Sequence, residues 1–265
     1  MQPVESFPRP NAGPVWLRLP TFRPRAAGIM LAVLVAIFIY EVQRAGGDQE
    51  VAGVNGGKLL LDLGAKDNDL IIKGEYWRLI TAMFLHADLL HIAFNGYALY
   101  LFGDQIERFY GWARFLAIYF VAGLAGSIAS FAFSPYDSVG ASGAIFGLIG
   151  ALGAFFYVHR RLLGAMARTQ LWNAVVLAGL NLLLGLGAGA GAIDNFAHGG
   201  GFIGGIVAAV LLVPRYRPGR ALAPDERLLE DAMPRPLVPA MVIAMLAVEV
   251  LLFALALALQ GGAIG

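Results

Sequence analysis

The sequence predicts an all-α integral membrane protein, and three observations carry that prediction: an apolar composition, apolar runs of spanning length, and a skewed distribution of arginine. Of 265 residues, 58% are hydrophobic and 14% charged, whereas soluble domains carry roughly 25% charged residues. Runs approaching the roughly 20 residues that cross a hydrocarbon core occupy 26–43, 79–103, 112–133, 142–158, 171–187, 197–213 and 237–259. Seven spans are therefore expected, with six spans and one re-entrant segment as the alternative. The net charge of +1 gives no reason to expect an acidic partner such as a nucleic acid, and zero cysteines remove disulfides, thiol catalysis and thiolate metal sites.

The elements follow in order. Residues 1–26 contain Arg and Pro and lack a convincing cleavage site, so they read as a cytoplasmic tail, and the first run reads as an anchor instead of a removed signal peptide. With that tail inside, the inner segments hold Arg9, Arg18, Arg23, Arg25, Arg108, Arg114, Arg160, Arg161, Arg168, Arg215, Arg217, Arg220, Arg227 and Arg235, fourteen of the 19 basic residues. The loops 134–141 and 188–196 carry only Asp137 and Asp194, as expected of outer loops. The long first outer loop, 44–77, mixes Arg44, Lys58, Lys66 and Lys73 with acidic residues; Tyr76 and Trp77 suggest a partly structured segment at the outer interface. A basic cytoplasmic linker, 214–236, leads to the last span, 237–259, where Glu249 sits in mid-membrane. A structural hydrogen bond to the core or a role in substrate gating are the two readings of that carboxyl.

In this topology the second, fourth and sixth spans run from outside to inside. His91 and Asn95 fall in the first half of span two, Ser142 heads span four and His198 heads span six. Four polar groups thus share a depth near the outer face, and such groups in a membrane usually face the protein interior and mark function; hydrogen-bonded helix packing is the plainer reading of each one alone. Gly143, Gly147, Gly150 and Ala154 form a small-residue stripe on span four, and Gly201, Gly205 and Ala209 form another on span six. Small stripes let helices approach closely in lipid, and each begins beside a residue capable of chemistry. If the stripes face each other, His198 reaches Ser142 and can act as its base. His91 and Asn95, four residues apart on one helix face, could donate to an oxyanion together with backbone N–H groups at the start of span four. Asp194 precedes His198 in a loop and no other carboxylate shares its depth, so a dyad is expected, not a triad.

The stretches EYWRLITAMFLHADLLHIAFN (75–95), LFGDQIERFYG (101–111), GASGAIFGLIG (140–150) and DNFAHGGGFIGG (194–205), in this order, resemble the rhomboid family of intramembrane serine proteases. The resemblance implies a rhomboid-like six-transmembrane-helix core over 27–213, plus a C-terminal seventh helix. It also implies Ser142 as nucleophile, His198 as base, and His91, Asn95 and the Ser142 amide as oxyanion donors. Phe146 is then the aromatic that packs on the histidine, Gly140, Gly143 and Gly201 support the site, and Trp77 and Arg78 are the structural pair of the first loop. The implied reaction is hydrolysis of a peptide bond near the outer end of single-span or other transmembrane substrates, without metal or cofactor. Helix-weakening Gly or Pro in the substrate and a small residue before the cut suit a narrow, glycine-lined site. The excess of Arg over Lys and the abundance of Ala and Gly fit a prokaryotic inner membrane.

Three other readings compete. A transporter would place a second set of polar groups across the membrane, usually at discontinuous helices. A metal enzyme would use His86, His91 and His198, yet no H-E-x-x-H motif or carboxylate accompanies them, and His86 reads as an interfacial structural residue. A catalytically silent rhomboid-like binder would differ from a protease only in turnover.

Overall fold

The computed structural model describes residues 16–46, 56–187, 193–223, 225–234 and 236–261. Expectations placed on 1–15, 47–55, 188–192 and Arg235 lie outside the described residues. Helix dominates. Among the described residues, four helices are long and apolar enough to cross a membrane: Ala26–Arg44, Trp112–Phe133, Asn195–Leu212 and Leu237–Gln260; a fifth crossing is added if Arg78–Phe84 and Leu89–Tyr110 count as one bent span.

Helix α1 (Ala26–Arg44) has no cap of its own. Its orphan amides are met from elsewhere: the Glu107 carboxylate accepts from the N–H groups of Arg25, Ala26 and Ala27 at 2.9, 3.0 and 2.8 Å. A helix N-terminus presents unpaired donors and a partial positive charge, and a carboxylate answers both. The segment after α1 is structured, with short helices α2 (Gly56–Leu63), α3 (Asn68–Ile72) and α4 (Arg78–Thr81), the last continued by a 3₁₀ turn, Ala82–Phe84.

The second span differs from the expected 79–103. Leu85 leaves the 3₁₀ turn in extended conformation, and Asp88 caps a new helix, α5 (Leu89–Ala98), by accepting from the His91 N–H at 2.8 Å. The axis bends by 92° between the two pieces. The π-helical turn Leu99–Gly103 and α6 (Asp104–Tyr110) then extend the run beyond its expected end. The sequence of 79–87 is apolar enough to read as membrane-spanning, but the cap at Asp88 breaks it.

Helices α7 (Trp112–Phe133), α8 (Ser142–Val158) and α10 (Asn195–Leu212) form the centre of the bundle. Their contacts are made by small residues. A Cβ on Gly201 would overlap the Gly143 carbonyl, one on Gly205 the Gly147 carbonyl, and one on Gly126 would lie 2.7 Å from the Ala197 oxygen. The stripes on α8 and α10 therefore meet backbone to backbone, with α7 closing the third side. Between α8 and α10, α9 (Arg160–Gly187) contains the expected 171–187 span; it starts earlier than expected and is broken at Gly164, whose φ is +56°.

The expected linker 214–236 is not extended chain. Strands β2 (Tyr216–Ala223) and β3 (Glu226–Asp231) form an antiparallel hairpin, and β1 (Trp16–Arg18) pairs parallel with β3, so an otherwise helical chain carries a three-stranded sheet. Pairing satisfies backbone groups that an isolated linker would leave open. Arg114 of α7 holds β3 through Asp231 at 2.6 Å, and His159, beyond the end of α8, reaches the Pro214 carbonyl at 3.1 Å. Helix α11 (Leu237–Gly261) lies against α7, where Gln260 donates to the carbonyls of Phe131 and Ala132. Glu249 is buried, and its Oε2 has no partner among the described residues.

Backbone contact on both sides leaves α10 no flexible neighbour to displace. Gly205→Ala is expected to lower stability by about 1–3 kcal/mol through overpacking, whereas Gly28→Ala, which meets nothing within 4 Å, is expected to cause no loss. Melting midpoints in detergent check this; equal midpoints for Gly205→Ala and the parent would contradict the packing described.

Candidate active site

Ser142 is the first residue of α8, and His198 lies in the first turns of α10. Because the two helices start at the same end of the bundle and touch through Gly143 and Gly201, their side chains meet: His198 Nε2 is 2.9 Å from Ser142 Oγ. For the imidazole to accept the hydroxyl proton, Nε2 must be bare and Nδ1 must carry the hydrogen. Nδ1 is buried without a hydrogen-bond partner among the described residues. The ring is held by packing instead: Phe146, one turn below Ser142, stacks on it at 4.1 Å with an interplanar angle of 11°.

His91 and Asn95 project from α5 toward the residue that precedes the Ala141–Ser142 turn. A Cβ on Gly140 would stand 2.6 Å from His91 Nε2 and 3.4 Å from Asn95 Nδ2, and the φ of Gly140 is +123°. Only glycine fits both the backbone conformation and the space. Asn95 is 6% exposed and its Nδ2 has no partner among the described residues, so a buried donor lies beside Gly140. The Ser142 N–H, at a helix start, has no intrahelical acceptor. His91 Nε2 and Asn95 Nδ2 thus lie beside Gly140, two residues ahead of the Ser142 N–H.

The supporting loop is built from the 56–84 segment. Arg78, 4% exposed, donates to the carbonyls of Leu61 and Ala65 at 2.7 and 2.9 Å and to Glu75, with its guanidinium 4.8 Å from the Trp77 ring centroid. Trp77 and Thr81 cover Gly64, where φ is +110°. Gly140 N–H donates to the Ala82 carbonyl at 2.8 Å. His86, expected at the interface, is fully buried, edge-on to His91 at 5.1 Å, and its N–H meets the Glu41 carboxyl at 3.3 Å. The metal reading of His86, His91 and His198 finds no group of three potential ligands among the described residues.

Two residues escaped the sequence reading. Asp194 is not a loop bystander: it caps α10 by accepting from Ala197 N–H at 2.9 Å and pairs with the Ser130 hydroxyl. Its position one residue before a helix was a legible capping signal. Lys66, 1% exposed, donates to the carbonyls of Ser134 and Tyr136 and lines a small cavity with Ser127, Ser130 and Ser142; nothing in the sequence separates it from the surface lysines nearby. Burial lowers its pKa from 10.5 to about 8, against the pull of Asp194, Asp137 and Asp67.

A rhomboid domain model matches residues 73–215, which include Ser142, His198, His91, Asn95, Phe146, Gly140, Trp77, Arg78 and Asp194 but not Glu41, Leu61, Gly64, Ala65 or Lys66. The chain belongs to the rhomboid family. It is similar to rhomboid protease GluP of Bacillus subtilis, with 48% identity over 163 residues, 60% of this chain and 31% of that protein. It is 34% identical to the chloroplastic RHOMBOID-like protein 9 of Arabidopsis thaliana over 197 residues, 73% of this chain and 44% of that one. It is 36% identical to the mitochondrial RHOMBOID-like protein 6 of the same plant over 159 residues, 59% of this chain and 50% of that one. The chain thus spans half or less of the length of these curated relatives. It is an integral membrane protein of that family.

The Asp194 carboxylate bonds Ala197 N–H and the Ser130 hydroxyl, and His198 Nδ1 has no partner among the described residues. If Asp194 only caps α10, Asp194→Asn, which keeps a capping oxygen, is expected to react with a fluorophosphonate at Ser142 within a few-fold of the parent rate. Loss of an orienting carboxylate from a triad lowers rates by about ten-thousandfold; a loss of that order in Asp194→Asn would contradict the dyad geometry.

Proposed function

We propose that this rhomboid-family chain is an intramembrane serine endopeptidase that cuts transmembrane protein substrates through a Ser142–His198 dyad. The observation that carries the reading is the 2.9 Å approach of His198 Nε2 to Ser142 Oγ beside unpartnered donors. Ser142 Oγ attacks the scissile carbonyl carbon while its proton passes to His198 Nε2. The oxygen, now negative, takes hydrogen bonds from the Ser142 N–H, Asn95 Nδ2 and His91 Nε2. The C–N bond breaks as His198 returns the proton to the leaving amine, and water then repeats the sequence against the acyl-enzyme with the same base. Phe146 keeps the imidazole in plane where no carboxylate does. No metal or cofactor enters any step.

The reading extends to topology. Six spans form the core over 27–213, a seventh covers 237–259, and 1–26 and 214–236 lie in the cytoplasm. The site then opens to the outer face of a prokaryotic inner membrane. What supports this orientation is the basic inner segments and the acidic-only loop at 134–141. The substrate is a single-span or other transmembrane segment that unwinds near its outer end, because a helical carbonyl is already hydrogen-bonded and unavailable for attack. A neighbouring Gly or Pro and a small residue before the cut favour that unwinding and fit the glycine-lined approach.

Cleavage of a single-span reporter by the purified protein in liposomes tests the reading. Ser142→Ala and His198→Ala are expected to abolish turnover with the fold retained, and Asn95→Ala to lower kcat by about a hundredfold or more with a small effect on KM. Turnover by Ser142→Ala would overturn the mechanism; a parent that binds reporter without cutting it would indicate a silent binder.

A further inference from the structure

The loop that delivers Ser142, residues 134–141, has no regular structure to hold it: α7 ends at Phe133 and α8 begins at Ser142. Its backbone is fixed almost entirely from the 56–84 segment. Lys66 N–H donates to the Ser138 carbonyl at 2.9 Å and Ser138 N–H returns a bond to the Lys66 carbonyl at 3.1 Å. The Lys66 ammonium donates to the carbonyls of Ser134 at 3.0 Å and Tyr136 at 2.9 Å. Asn68 adds a bond to the Ser134 carbonyl at 3.0 Å. One residue therefore touches the loop at three points, with both its backbone and its side chain, four residues or fewer ahead of Gly140 except at its start. Asp67 caps α3 immediately after it, and Arg78 grips Ala65 immediately before it. The lysine thus projects from a clamped stretch of chain.

A lysine this buried, 1% exposed, is uncommon unless paired. No carboxylate lies in ion-pair contact with it among the described residues; its partners are carbonyl oxygens, and Asp67, Asp137 and Asp194 face it at longer range. A methionine would fill the same space without the desolvation penalty, so the charge is retained at a cost to stability. Lys66 also lines the small cavity that Ser142 lines.

We propose that Lys66 is a positioning residue of the active site, its charged ammonium pinning the 134–138 loop so that Gly140 and the Ser142 N–H stand opposite His91 and Asn95. This rests on the reading of Ser142 as nucleophile. Charge-assisted bonds to the two carbonyls are stronger than those of a neutral amine. As the ammonium loses its proton, at about pH 8, the loop loosens and the oxyanion donors lose register. Stability moves the other way. The folded pKa lies below the ordinary 10.5, so the unfolded chain binds more protons between the two values and this group makes folding more favourable as pH rises. A fall in reactivity over that range is therefore not unfolding driven by Lys66.

The test is the rate of fluorophosphonate labelling of the full-length protein in detergent, measured from neutral pH into the alkaline range, for the parent, Lys66→Met, Lys66→Arg and Ser142→Ala. Labelling needs the nucleophile, base and oxyanion donors but no peptide substrate. The parent rate is expected to fall as pH passes about 8 with helicity unchanged, a measurement that requires no variant to fold. Lys66→Met is expected to label about ten- to hundredfold slower at neutral pH, and Lys66→Arg, which stays charged, to recover most of the rate and lose the alkaline decline. A parent rate flat through the alkaline range, or a folded Lys66→Met labelling at the parent rate, would overturn the role of Lys66 while leaving the dyad standing. Labelling of Ser142→Ala at the parent rate would instead overturn the dyad itself.

Discussion

Everything at the site depends on two helix backbones touching. Where α8 meets α10, glycine faces glycine, so that a single added methyl at Gly201 or Gly205 would enter the opposing carbonyl. In lipid there is no hydrophobic force to draw helices together, and close packing of small residues supplies the association. The same contact fixes distance: with backbones this near, a short serine side chain and an imidazole two elements away meet at 2.9 Å. Larger residues in the stripes would keep the helices bonded to the bundle and still separate the two reacting atoms.

Around that contact, charged side chains serve orphaned backbone. Glu107 answers three amides at the head of α1, Arg78 two carbonyls at Leu61 and Ala65, and Lys66 two more at Ser134 and Tyr136. Unpaired peptide groups are costly in and near a hydrocarbon layer, and ionic partners bind them more strongly than neutral ones. The loop 134–141 can therefore be irregular in conformation and still well defined.

Much of this was legible. The periodicity of Gly143, Gly147 and Gly150 against that of Gly201 and Gly205 names the facing stripes, and the four-residue spacing of His91 and Asn95 puts both on one face. Apolarity alone was less informative where a cap decides the outcome: 79–103 reads as one span until Asp88 is recognised as a helix start, and α5 begins there instead. The linker 214–236 hid its hairpin because its strands are short, polar and stabilised by pairing with a distant segment, Trp16–Arg18. Burial of Lys66, His86 and Glu41 could not be read either, since each depends on partners remote in the chain. Charge in a loop looks solvated until the carbonyls that it serves are located.

The most direct measurement of the central claim is an experimental structure of the protein after reaction with a fluorophosphonate. The expected result is phosphorus bonded to Ser142 Oγ, with the phosphoryl oxygen within hydrogen-bond reach of the Ser142 N–H and Asn95 Nδ2, His198 still stacked on Phe146, and the α8–α10 contact unchanged. An adduct on another residue, or a phosphoryl oxygen turned away from α5 toward bulk water, would contradict the account.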